Sequence, residues 1–135
     1  MDMSSGSLTT INTPICPISS YSYIKTLGDN IYYTDPDKNI VVCCDMKGEI
    51  IWKFHDEMIL RFPTSIDVDG KGFIYVIGEM TCNIVVVSPD GQQCRQLLTI
   101  KDGLETPQAI FHDKKRNELL IANRNNTVFR YRFES

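Results

Sequence analysis

The residues best suited to chemistry in this 135-residue chain are its short carboxylates and amides, which recur in clusters and at matched positions. Asp35-Pro36-Asp37 and Asp67-Val68-Asp69-Gly70-Lys71 offer the oxygen ligands that a hard cation such as calcium prefers. An EF-hand loop would add a Glu at its twelfth position and flanking helices, and neither is present. The amide set Asn39, Asn83, Asn123 and Asn126 could join Asp35 around a central ion. The competing reading, which we prefer, is that these short side chains hydrogen-bond loop backbone. The five cysteines are Cys16, Cys43, Cys44, Cys82 and Cys94, an odd number that argues against a disulfide framework. Zinc would want close cysteine pairs or Cys/His clusters. Cys43 and Cys44 are adjacent in a strand-like run and so point to opposite faces, and His55 and His112 stand far from any cysteine pair. The cysteines therefore read as small buried hydrophobes. No cofactor and no metal is expected. His112 has Asp113 beside it, but neighbours on a strand face opposite ways, and no serine lies in a G-x-S-x-G context. The sequence does not describe an enzyme.

A second kind of chemistry is phosphate binding. Lys114, Lys115 and Arg116 fall in one loop, and Arg130 and Arg132 alternate with Tyr131 and Phe133. On a strand that alternation gathers the arginines on one face, where they could meet an RNA backbone. The alternative is a solvated turn and an edge strand protected by charge. The whole chain carries a net charge of −3 with a pI near 5.3, which argues against a surface built mainly for nucleic acid. Residues 101–135 nevertheless hold 7 basic and 5 acidic side chains, so a local basic face survives. No apolar run approaches the roughly 20 residues that cross a bilayer. The polar, Ser/Thr-rich start does not read as a secretory signal, so the expected compartment is cytoplasmic and no membrane partner is expected.

The elements that must position these groups come as repeats. Asn39 and Asn83 are 44 residues apart, as are Pro63 and Pro107, and Gly48 and Gly91 are 43 apart. Units of roughly 40–45 residues built from short strands are the mark of propeller blades. In the second unit, strands at 64–68, 73–77, 83–88 and 94–100 are separated by Asp69-Gly70-Lys71-Gly72, a loop, and Pro89-Asp90-Gly91. The unbroken run Ile84-Val85-Val86-Val87 predicts a strand covered on both faces. Trp52 and Phe54 alternate with Ile51 and Lys53, giving one aromatic face suited, with Phe62, to packing between blades.

These residues resemble the NHL repeat, and in particular the C-terminal propeller of tripartite-motif (TRIM) proteins of the NHL class. The second unit carries the pattern through Pro63, Asp67, Asp69, Gly70, Asn83, Ser88, Asp90 and Gly91. The first carries it through Asp35, Asn39, Asp45 and Gly48, and the third through Pro107, Asp113, Asn123 and Asn126. Gly78 departs from it, standing where the first unit has Asp35 and the third Asn123. The resemblance implies an all-β fold: a partial β-propeller of about three four-stranded blades, half of a six-bladed NHL-type ring. The blades are expected at 17–62, 63–105 and 106–135, the last incomplete, after an N-terminal segment 1–16 with an outer strand at 8–11. It also implies a non-catalytic binding module, the part of a TRIM-type ubiquitin ligase that recognises a protein partner or substrate. Loops held by a rigid scaffold are the usual binding elements, which nominates Asp35, Asp37, Lys38, Glu79, Met80, Arg124 and Asn125. RNA binding through Lys114, Lys115, Arg116, Arg130 and Arg132 is the alternative, and an inert fragment of a larger propeller protein is another. Two copies could form a homodimer that completes a six-blade ring.

Overall fold

The computed structural model describes residues 5–12, 21–124 and 126–133. Eleven strands form three antiparallel sheets whose spatial order follows the chain. The first sheet holds β1 (Ile24–Leu27), β2 (Asn30–Asp35), β3 (Ile40–Cys44) and β4 (Ile50–His55). The second holds β5 (Pro63–Val68), β6 (Ile74–Gly78), β7 (Asn83–Val87) and β8 (Cys94–Leu98). The third is three-stranded among the described residues, with β9 (Ala109–Asp113), β10 (Glu118–Asn123) and β11 (Thr127–Arg132). The first strand of the second sheet, β5, packs against β1 and β2 on one side and β9 on the other, so the sheets stand as three consecutive blades of a partial propeller. Two short 3-10 turns, Pro36–Lys38 and Ile100–Asp102, lie between strands. No described helix is long and apolar enough to cross a membrane.

The side-chain period of two decides which sheet each residue meets. Along β6, Ile74 and Val76 join Val41, Cys43, Trp52 and Phe54 in the seam between the first two sheets. Tyr75 and Ile77 turn the other way and join Ile110, Leu119 and Ile121 in the seam with the third sheet. Cys43 and Cys44 divide as their adjacency predicts: Cys43 enters the first seam, while Cys44 lies with Ile31, Tyr33, Ile40 and Val42 on the far face of the first sheet. Burial, with the neighbouring Cys44, pushes the Cys43 thiol up to about 11, so it behaves as a small hydrophobe. Cys16 lies outside the described residues.

One expectation is corrected at the N-terminus. Residues 8–11 form no strand: Leu8 is exposed, while Ile11 packs on the far face of the first sheet and the Asn12 carbonyl sits over Gly48. The Leu-Thr-Thr-Ile sequence is extended enough to suggest pairing, but its half-buried Ile11 meets a sheet face, not a sheet edge.

Three of the aspartates, Asp45, Asp69 and Asp113, are turn chemistry. Asp45 Oδ1 accepts from the Lys47 and Glu49 amides, and Asp69 Oδ1 from the Lys71 and Phe73 amides. Asp113 Oδ1 does the same for Lys115 and Arg116. Each such turn closes on a residue with positive φ, Gly48, Gly72 or Asn117. Trp52 locks the first seam. Its indole N–H donates to the Pro89 carbonyl at 2.9 Å, and its ring lies over Gly91, where a Cβ would collide with it.

Two outcomes follow from these contacts. Gly91→Ala combines that collision with a φ of +74° and should cost about 2 kcal/mol of stability in urea melts. Gly70→Ala, with nothing near its Cβ, should stay within about 0.5 kcal/mol of the parent; equal effects would refute the seam assignment. Acid should also destabilise the chain. The Asn39 amide and His55 hold the Glu57 carboxyl below its ordinary value, the Ser88 hydroxyl does so for Asp90, and the Arg116 guanidinium for Asp113. Unfolded, these groups bind protons more readily, so their stabilisation is complete above about pH 4.5 and fades as pH falls through the lower folded values. The melting temperature should therefore drop between neutral pH and about pH 3, and a flat profile would contradict the assignment.

Candidate functional site

The blades present two opposite ends. At one end lie the loops joining second and third strands, residues 35–39, 78–83 and 123–126. They are anchored by a recurrent device. Asn83 Nδ2 donates to the Ile59 carbonyl at 2.7 Å and to Gln96 Oε1 at 2.7 Å, while its Oδ1 accepts from the Thr81 hydroxyl. Asn39 Oδ1 accepts from the Phe62 amide at 2.8 Å, and Asn123 Oδ1 from the Glu105 amide at 2.8 Å. Backbone bonds repeat the theme, from Met80 N–H to the Arg61 carbonyl and from Arg124 N–H to the Glu105 carbonyl. Each loop is thus tied to the connector that leads into a blade. Of the amides considered as ion ligands, Asn39, Asn83 and Asn123 spend polar atoms in this way, and no group of three metal-binding side chains occurs among the described residues.

The nominated loop residues divide. Asp37, Lys38, Glu79 and Arg124 are exposed, and Met80 is 65% exposed, an apolar side chain offered to solvent on an anchored loop. Asp35 is different: it is 1% exposed, and its Oδ2 has no hydrogen-bond partner among the described residues. It lies beneath the loop rather than on it. Asn125 is outside the described residues.

At the other end lie the tight turns, and here the basic residues part company. Arg116 pairs with Asp113 at 2.9 Å. Arg132 and Arg130 converge on one carboxylate, Glu118, at 2.7 and 3.8 Å. Glu118 faces Arg132 directly across β10 and β11, so the arginines share a face as the alternation requires, but with an acid set between them. Lys115 is exposed and joins no ion pair among the described residues. Lys114 lines a cavity that the sequence did not suggest.

That cavity, about 610 Å³, lies where the second and third sheets meet at the turn end. Tyr75 stacks on His112 with centroids 6.0 Å apart and planes 9° from parallel, and Phe133 meets Tyr75 at 5.6 Å. The Tyr75 hydroxyl donates to Asp69 Oδ2 at 2.8 Å; burial, then that bond, raises its pKa. His112 is 4% exposed. Its Nε2–H donates to Asn117 Oδ1 at 2.9 Å, and its Nδ1 has no partner among the described residues. Lys71, Arg95 and Lys114 supply positive charge to the lining. The residues come from four separate segments, and only the third dimension brings them together.

No family model matches the chain. Over 106 residues, 77% of its length, it is 32% identical to the E3 ubiquitin-protein ligase TRIM56 of Mus musculus. Over 103 residues it is 28% identical to the TRIM56 of Homo sapiens. The chain spans 14% of the length of each of these relatives. Among solved structures, a streptogramin B lyase superposes with a TM-score of 0.61 at 16% identity, over 91% of this chain and 44% of that one. A virginiamycin B lyase from Staphylococcus aureus gives 0.57 at 14% identity, over 83% and 41%. At such identities these lyases share the fold alone. Three consecutive sheets, the repeated Asn anchors and the sequence likeness agree: this chain is a partial, NHL-like β-propeller that resembles the C-terminal blades of TRIM proteins.

Proposed function

We propose that the chain is a non-catalytic recognition module whose protein partner docks on the loop end, at Asp37, Lys38, Glu79, Met80, Arg124 and Asn125, with Asp35 bracing the first loop from below. The observation that carries this is the pairing of rigid loop anchors with exposed tips. Asn39, Asn83 and Asn123 fix the loop bases, while Met80 stands in solvent beside Glu79. Such pre-ordering reduces the entropy lost on binding. The likeness to TRIM56 supports the further step that the partner is one a ubiquitin ligase selects, with ubiquitin transfer residing in a longer protein and the cytoplasm as its setting. RNA binding has less support, since Arg116, Arg130 and Arg132 are already paired with carboxylates.

Affinity capture from lysate tests this by comparing the chain with a Glu79→Ala, Met80→Ala, Arg124→Ala variant. Proteins held by the parent should be lost by the variant, each anchor contributing about 2 kcal/mol if it is a hot spot. Identical retention by both would refute the loop assignment.

Self-association has its own supporting observation. The chain covers a little under half of each solved lyase named above, and the outer face of the third sheet presents Phe111 and Val128, both more than half exposed. If two copies close a ring, light scattering should give a mass near twice 15.4 kDa. A mass of one chain at all accessible concentrations would exclude it.

A further inference from the structure

We propose that the cavity between the second and third sheets binds an acidic peptide segment carrying an aromatic side chain, a site separate from the loop end. Lys71, Arg95 and Lys114 meet its carboxylates, and Tyr75, His112 and Phe133 hold its ring. The volume of about 610 Å³ falls within the usual range of ligand sites. The aromatic wall is already ordered, with His112 stacked on Tyr75 and Phe133 tilted against it.

Charge sets the sign of the ligand. Asp69 is the one carboxylate among the lining residues, and it is spent internally. Its Oδ1 accepts the Lys71 and Phe73 amides, and its Oδ2 the Tyr75 hydroxyl. Three cations line the same cavity, and none of them joins an ion pair among the described residues. A protein of net charge −3 thus carries a local positive site, which steers and selects anions.

The aromatic lining of Tyr75, His112 and Phe133 narrows the choice further. An acidic peptide brings carboxylates and an aromatic ring on one chain, whereas inorganic phosphate brings charge but no ring to meet the aromatic lining. The cavity is bordered by turn residues Gly70, Ser88, Gln93 and Lys114, so a chain can enter and leave along the sheet ends.

The test is fluorescence anisotropy of the whole chain with a short labelled peptide of alternating Glu and Tyr. Comparators are a Glu/Ser peptide, a Lys/Tyr peptide and a single-stranded oligouridylate, with inorganic phosphate as competitor. The Glu/Tyr peptide should bind about tenfold or more tightly than any comparator and withstand millimolar phosphate. Lys71→Glu with Lys114→Glu, both exposed positions, should weaken it by about tenfold or more while the melting temperature holds. Arg95→Glu provides an independent variant of the same kind. The Glu79, Met80 and Arg124 alanine variant should bind the peptide as the parent does, so the two sites can fail separately. Equal binding of the Lys/Tyr peptide, preference for the oligonucleotide, displacement by phosphate, or indifference to both charge reversals would each overturn the proposal.

Discussion

The free backbone edge of each innermost strand is the constraint around which the blades are arranged. An edge strand carries amide groups that its own sheet cannot pair, and burying them unpaired is expensive. Here side chains from one blade satisfy the next. Ser65 Oγ accepts from the Ile110 amide at 3.1 Å, and Asp67 Oδ2 accepts from the His112 amide at 2.7 Å. Between the first two blades the Thr34 hydroxyl donates to the Thr64 carbonyl at 2.9 Å. These bonds explain why β5, buried along its whole length, is written Pro-Thr-Ser-Ile-Asp-Val rather than as a run of aliphatics. Its polar side chains are the hinges between blades. They also fix the height of β9 against β5, which sets His112 opposite Tyr75.

The apolar seams follow from the same arrangement. Strands β3 and β6 are buried at every position, so neither face of those sheets can be left to water. A single blade would be unstable alone, and stacking makes it stable, as in other repeat proteins. The second sheet contributes alternate residues to two seams, so a change in it is felt in both neighbouring blades. Trp52 shows this directly, since it belongs to the first blade but hydrogen-bonds and packs on the turn of the second.

Most of this architecture was legible in the sequence because it rests on short-range chemistry. The 44-residue period, the turn residues at Gly48, Gly72 and Gly91, and the alternation around Trp52 all report local geometry. The loop anchors were half legible: Asn39, Asn83 and Asn123 stood out by spacing, and their preference for backbone partners was expected, but not which connector each would hold. Asp35 read as a loop residue and is buried, because its strand continues through it to the start of the 3-10 turn. The third blade was harder. Arg130 and Arg132 were correctly placed on one face, yet their pairing with Glu118 depends on the register of β10 with β11, which alternation alone does not set. The cavity was not legible at all. Phe133, Arg95, Tyr75 and Lys71 share no spacing, and only the stacking of two sheets gathers them.

The two outer faces of the stack are not equivalent, and this bears on how it can grow. The far face of the first sheet is a band of Ile31, Tyr33, Ile40, Val42 and Cys44, over which Ile11 and Ile50 pack. The outer face of the third sheet mixes Phe111 and Val128 with the Glu118, Arg130 and Arg132 cluster. A two-fold assembly would set the first face of one copy against the third face of the other, making two identical seams. In the structure Ile11 already occupies part of the first face, and the Asn12 carbonyl rests on Gly48, where any side chain would collide. A new blade on that side must therefore displace the N-terminal segment or build upon it. The glycine at position 48 leaves room for that contact, so the segment covers part of the first face.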